Sequence, residues 1–435
     1  MNLGSFQNSN LKSEDATNIN LSFIHAGDNG NEIEFKPKKR KITLFMRKYW
    51  YFLLLGILIV ALIVFFGIYQ IKPFGSLQDD KLSNLIDAGE SNLITPTPVP
   101  TPVFVSNPIN GILMPENEYN LIKDRPFLAV VIQNNVVARP PSGLNQADIV
   151  YETLVEGNIT RFLAIFWSKD ADRIQSIRSA RHYFVNLLGD YNNPAFMHIG
   201  YAYCTSGENC DSRIDSLVLM QRYGIRRLSD AVNSVTKELS FSRDKNCEMI
   251  KSAEHCAYSS TQRLWAIAEQ KGWKNNLSQY RSWLFTDDIV EGGNELKNFL
   301  VHFNGYSNVH DTKYSVIWKY NTEKKTYERY NFDNSPYIDS NNEQVSADVV
   351  IYQQITSIPT GDNKAHQYQE VIGNGTGYVM QGGRVYPIRW SKPDFNTKTI
   401  FTDATTGKEF VFNRGKIWVM LVPKGYDYIN LDMNQ

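Results

Sequence analysis

Neither sign of charge is in excess in this chain. Lysine plus arginine number 45, aspartate plus glutamate also number 45, and the formal net charge is zero. A nucleic-acid binder normally carries a strong basic excess, so no nucleic-acid partner is expected. Catalytic signatures are absent as well. There is no G-x-S-x-G elbow, no H-E-x-x-H and no P-loop, which removes the sequence support for a serine hydrolase elbow, a zincin or a nucleotide cradle. Ser234-Val235-Thr236-Lys237 matches S-x-x-K, but neither S-D-N nor K-T-G follows, and chance accounts for the match. Cysteine is scarce, at four residues in 435. No cofactor is expected.

Much else is present. Residues 1–48 begin rich in Asn, Ser, Asp and Glu, which suits a disordered tail, and end in a basic run that includes Lys38, Lys39, Arg40 and Lys41. Residues 49–70 contain the apolar, uncharged run Tyr51–Tyr69. At 1.5 Å per residue that run reaches about 28 Å, close to a bilayer's hydrocarbon core. The positive-inside rule then predicts one transmembrane helix with the tail cytoplasmic and the rest outside. Residues 71–106 contain Thr95-Pro96-Thr97-Pro98-Val99-Pro100-Thr101-Pro102, a Pro/Thr-rich linker with polyproline II character.

The expected fold class is α+β: a mixed α/β domain over 107–293, then a mostly antiparallel β domain over 294–435. Phe127–Ile132 is a continuous apolar run and predicts a strand buried on both faces. Strands are also predicted at Ile149–Val155 and Thr160–Trp167, joined through Gly157-Asn158 as a hairpin. That turn pairs 155 with 160 and places Arg161 on the same face as Glu152 and Glu156. The spacing predicts a helix from Ser179 as N-cap to Gly189, with Arg178 and Arg181 at its N-terminus. Helices are also predicted over Ser212–Arg222 and Ser260–Lys271. In the second half KYSVIWKY, ADVVIYQQI, TGYVMQ, RVYPIRW, KTIFTD, EFVFN and KIWVMLV are strand candidates, with turns at Gly382-Gly383 and Thr406-Gly407.

All four cysteines follow the apolar run. An even count in an exported domain predicts disulfides, most simply Cys204–Cys210 and Cys247–Cys256, although four cysteines allow three connectivities. The alternative is a metal site from Cys247, His255 and Cys256 with Asp244 or Cys204, but this spacing matches no standard zinc motif, so no metal is expected.

A family resemblance rests on Pro126 to Gln133, Asn134-Asn135, Ala138-Arg139-Pro140, Ser142-Gly143-Leu144, Gln146 to Glu152, Glu156-Gly157, Thr160-Arg161 and Arg178-Ser179-Ala180-Arg181, with His198, Gly200, Arg243-Asp244 and His255 downstream. The pattern resembles the YerB-like lipoprotein family of bacterial envelope proteins, whose N- and C-terminal domains are of unknown function. It covers roughly residues 110 to 430. The resemblance implies an envelope location and a two-part ectodomain, and it supplies no substrate. One departure stands out: no cysteine lies near the apolar run, so a helix takes the place of the lipid.

The candidate binding residues are Asn134, Asn135, Arg139, Asp148, Glu152, Glu156, Arg161, Arg178, Arg181, His198, Arg243, Asp244 and His255. Arginine richness favours recognition of carboxylate or phosphate over proton transfer. The expectation is a membrane-anchored binder of an anionic cell-wall ligand or an envelope partner protein. Acid–base chemistry on Glu152, Asp148 or His198, and a purely structural role, are the alternatives.

Overall fold

A strand that is apolar at every position needs cover on both sides. In the computed structural model, which describes residues 102–205, 210–304, 312–424 and 428–431, the run from Phe127 to Ile132 is wholly inaccessible. Strand β1 (Leu128–Gln133) belongs to an eleven-stranded sheet with β2 (Ile149–Leu154), β3 (Thr160–Phe166), β4 (Ala195–Met197), β5 (Asn294–Glu295), β6 (Val349–Pro359), β7 (Gly373–Gln381), β8 (Arg384–Lys392) and β9 (Ile417–Pro423). The order is β5-β8-β7-β6-β9-β2-β3-β1-β4, with Gln367–Glu370 added on β6 and Ile400–Asp403 on β8. The described residues all fall in one compact unit.

The expected boundary at 293/294 does not separate two sheets. Strand β9 pairs in parallel with β6 on one side and with β2 on the other. The second half is mostly antiparallel, with β9 parallel to both its neighbours, and that strand joins the sheet of the first half.

Alternation along the strands builds two apolar layers. Val130, Val150, Phe162, Val350 and Trp418 face helix α3 (Thr261–Gln270) and a second, five-stranded sheet. That sheet is antiparallel and includes Asn298–Val301, Val316–Asn321 and Thr326–Asn331. Trp318 of the second sheet meets Trp418 edge-on at 5.4 Å between ring centres. On the opposite face Val131, Tyr151, Leu163, Ile351 and Val419 pack with Tyr183, Phe184 and Leu187 of helix α1 (His182–Leu187).

The expected helix start at Ser179 is displaced. Residues 178–181 are extended: Arg178 N–H donates to Val131 C=O and Ala180 N–H to Gly200 C=O, so α1 begins only at His182, with Arg181 as its N-cap. The Ser212–Arg222 helix is split, with a single tight turn at Ser212–Ile214 and helix α2 (Ser216–Arg222) capped by Asp215. Helix α3 starts where its cap predicts, the Ser260 hydroxyl accepting from Arg263 N–H at 3.2 Å.

The expected tail 1–48, the transmembrane run 49–70 and most of the linker 71–106 lie outside the described residues. The end of that linker is part of the fold, since Phe104–Ser106 pairs antiparallel with Leu113–Pro115. Among the described residues no helix is long and apolar enough to cross a membrane.

Candidate functional site

The β2–β3 hairpin decides where the candidate residues point. Gly157 and Asn158 form the turn, as expected, and both take positive φ, at 66° and 57°. Yet Val155 N–H donates to Ile159 C=O at 2.7 Å, and the paired residues are Leu154–Thr160, Thr153–Arg161 and Glu152–Phe162. The register differs by one residue from the expected 155–160 pairing, and a one-residue slip moves side chains to the opposite face. Glu152 and Arg161 therefore lie on opposite faces of the sheet.

On the face towards the second sheet, Glu152 is fully buried and its carboxylate is saturated. One oxygen accepts from Arg329 Nη2 at 2.9 Å, the Thr160 hydroxyl at 2.9 Å and Asn134 Nδ2 at 3.4 Å. The other accepts from the Trp418 indole at 3.1 Å. Asn134 accepts in turn from the Tyr337 hydroxyl at 2.6 Å and Arg139 Nε at 3.0 Å. Arg139 continues to Asn331 Oδ1 and Lys313 C=O. Asn134, Arg139 and Glu152 thus hold the two halves together. Asn135 only caps the turn Val136–Ala138.

On the opposite face three arginines gather at the hairpin end. Glu156 receives Arg181 in a two-pronged ion pair at 2.5 and 2.6 Å. Burial opposes ionisation of Glu156, but the hydrogen bonds and charge of Arg181 outweigh it and bring its pKa down to about 2. His366 Nε2 lies 3.5 Å from the same carboxylate, its Nδ1 on Asp362 at 2.6 Å. Arg178 pairs with Glu254 at 2.8 Å. Arg161 has no such partner among the described residues. It donates from Nη1 to Ser179 C=O at 3.0 Å, and its buried Nε meets no acceptor. Burial first, and then the charge of Arg181, lower its pKa to about 9.

The other candidates are engaged locally. His198 is inaccessible, bonded through Nδ1 to Gly200 C=O at 2.8 Å, and burial lowers its pKa to about 4. The Asp148 carboxylate takes Asn107, Asn110, both backbone N–H groups of Trp167 and Ser168, and the Ser168 hydroxyl. Cys204–Cys210 and Cys247–Cys256 are disulfides, so the metal alternative built on cysteine is overturned: oxidised sulfur is no longer a thiolate ligand. Inside the second disulfide loop His255 bonds Gln133 at 3.0 Å. Asp244 caps the following turn and pairs with Arg173, while Arg243 donates to Ala253 C=O. The structure separates most of the candidates into the Glu152 knot, the Arg161 cluster and the segment around the second disulfide, and leaves Asn135, Asp148 and His198 outside all three.

Sequence reading missed Arg329, Tyr337 and His366, all more than 160 positions from the hairpin. A signal for Arg329 existed. In TYERYN, Tyr327 and Arg329 share one parity and are both buried, while Glu328 and Tyr330 are half-exposed. An arginine on the inward parity of a strand requires a buried anion.

These features define a disulfide-bonded protein of mixed α and β structure, mostly strands, whose two sequence halves share one sheet. The family described as "Protein of unknown function (DUF3048)" matches through its N-terminal domain at residues 113–274 and its C-terminal domain at residues 306–419. The chain belongs to this family. It is similar to a Bacillus subtilis (strain 168) protein named "Putative lipoprotein YerB", with 29% identity over 320 residues, covering 73% of this chain and 86% of that one. The crystal structure of YerB protein from Bacillus subtilis matches with a TM-score of 0.59 at 26% identity, over 75% of this chain and 99% of that one.

Proposed function

We propose that this protein is a membrane-anchored, extracytoplasmic envelope protein that binds an anionic group at Arg161. The observation carrying the reading is a buried guanidinium with one carbonyl partner and an unmatched Nε, beside two arginines already neutralised by Glu156 and Glu254. Such a group gains from a carboxylate or phosphate that accepts in a fork. The anion site of this reading is therefore centred on Arg161, with Arg178 and Arg181 fixed around it by their own glutamates. Arg181 is the N-cap of α1, but its guanidinium is taken by Glu156. In the envelope the donors of such anions are wall peptides and phosphate polymers. In this reading the apolar run Tyr51–Tyr69 is the anchor, with a length close to a bilayer's hydrocarbon core. Catalysis by Glu152 has little support, since its carboxylate already accepts four hydrogen bonds.

The test is titration of the full-length chain with monomeric muropeptides and, separately, short polyphosphate. Saturable, salt-weakened binding that falls about tenfold or more in Arg161→Lys supports the site, because lysine keeps the charge and loses the fork. Equal binding by wild type and Arg161→Lys, with both folded, overturns it. The stronger of the two probes identifies the source of the anion.

A further inference from the structure

Three neighbouring parallel strands begin beside one cavity. Strands β2, β9 and β6 align Ile149 with Ile417 and Ile417 with Val349. The residues just before them are Asp148, Lys416 and Asp348, so the register itself sets a lysine between two aspartates. All three line a cavity of about 500 Å³, together with Lys169, Lys324, Glu328 and Glu343. The cavity shares no lining residue with the Arg161 cluster, and nothing in it depends on that reading.

The groups in this cavity are not equally available. The Asp148 carboxylate is fully engaged by the Asn107, Asn110, Trp167 and Ser168 donors. Lys324 and Glu328 neutralise each other at 2.9 Å. Lys416 donates one hydrogen bond from Nζ, to Leu144 C=O at 2.6 Å. Asp348 accepts the backbone N–H of Lys416 at 2.7 Å, which fixes its carboxyl beside that residue. Gly415 makes the approach possible. Its φ is 137°, and a Cβ there would lie 2.2 Å from the Asp348 carboxyl carbon.

We infer that this cavity is a site for a small aldehyde or ketone bearing a carboxylate, with Lys416 forming a reversible imine and Asp348 moving the proton. The Lys416 nitrogen adds to the carbonyl carbon, and a proton passes from nitrogen to oxygen. The resulting carbinolamine takes a proton from Asp348, loses water and leaves a protonated imine. Lys169 offers the cation for the ligand's carboxylate. The electrostatics agree with this assignment. Burial, opposed by Asp339, Asp348 and Asp148 and reinforced by Lys169, lowers the Lys416 pKa to about 7. Burial raises that of Asp348, against the Lys416 backbone bond and the charges of Lys416 and Lys169. Lys416 supplies an amine partly neutral at neutral pH, and Asp348, held on the Lys416 backbone at the same cavity, supplies a carboxyl that keeps its proton longer than an ordinary aspartate, which is the pairing that imine chemistry needs.

The experiment treats the full-length chain with glyoxylate and cyanoborohydride and maps carboxymethyl-lysine by peptide mass spectrometry. Lys416 is expected to react about tenfold faster at neutral pH than the exposed Lys237, Lys271 and Lys297, with a rate that declines below pH about 7. Asp348→Asn is expected to slow Lys416 without raising the labelling of the others. Labelling of Lys416 no faster than that of exposed lysines in the wild type overturns the proposal, whatever the variant does.

Discussion

Glu152 and Arg329 form an ion pair at 2.9 Å with side-chain exposures of 0% and 2%. They join β2 of the central sheet to the second sheet across 177 positions. Arg329 also lies over the Tyr337 ring at 3.9 Å. Removing one partner of a buried pair leaves an uncompensated charge, so Arg329→Met is expected to cost about 3–5 kcal/mol. Adding Glu152→Gln to Arg329→Met should recover a large part of that loss. Urea denaturation of the single and double variants measures both, and a double variant no more stable than Arg329→Met refutes the coupling.

Acid should destabilise the protein in two steps. The folded pKa of His182 and of His198 is about 4, lowered first by burial. A depressed folded pKa means that protonation favours the unfolded chain, so this stability is present above about pH 6.5 and is lost as pH falls towards 4. Glu156, at about 2 when folded, adds a second loss below its unfolded value of about 4.3, worth on the order of 3 kcal/mol. Urea midpoints measured from neutral to acidic pH should fall through both windows, and Glu156→Gln should flatten only the lower one.

The Cys247–Cys256 disulfide closes a loop that presents Glu254 to Arg178 and His255 to Gln133. Replacing both cysteines by serine should lower stability by about 2–3 kcal/mol. It should also strengthen anion binding at the Arg161 cluster, because Arg178 loses the carboxylate that neutralises it. Thermal unfolding and the muropeptide titration check the two effects. Non-reduced peptide mapping should recover both disulfides from the exported wild type.

Topology is open to a direct assay. Protease applied to intact cells should remove the domain that follows residue 72 and leave the N-terminal tail protected, as the basic run and the positive-inside rule require. An ectodomain protected until the cells are lysed would reverse the orientation.

Local signals in the chain determined much of this protein. The buried strand from Phe127 to Ile132, the seven strand candidates of the second half and the cap of α3 follow from side-chain period and capping chemistry alone. Both disulfides were legible because their cysteines lie six and nine residues apart. Tertiary structure decided what local pattern does not encode. The one-residue difference in the β2–β3 register sent Glu152 and Arg161 to opposite faces, because side chains alternate strictly along a strand. The backbone N–H of Arg178 found Val131 and that of Ala180 found Gly200, so those residues extended instead of starting a helix. Trp418 reached Glu152, and Lys416 came between Asp148 and Asp348, because β9 inserts between β2 and β6, while Arg329 reached Glu152 because the second sheet packs over that face. Contacts of that kind depend on which strands become neighbours, and strand order is a property of the whole folded chain.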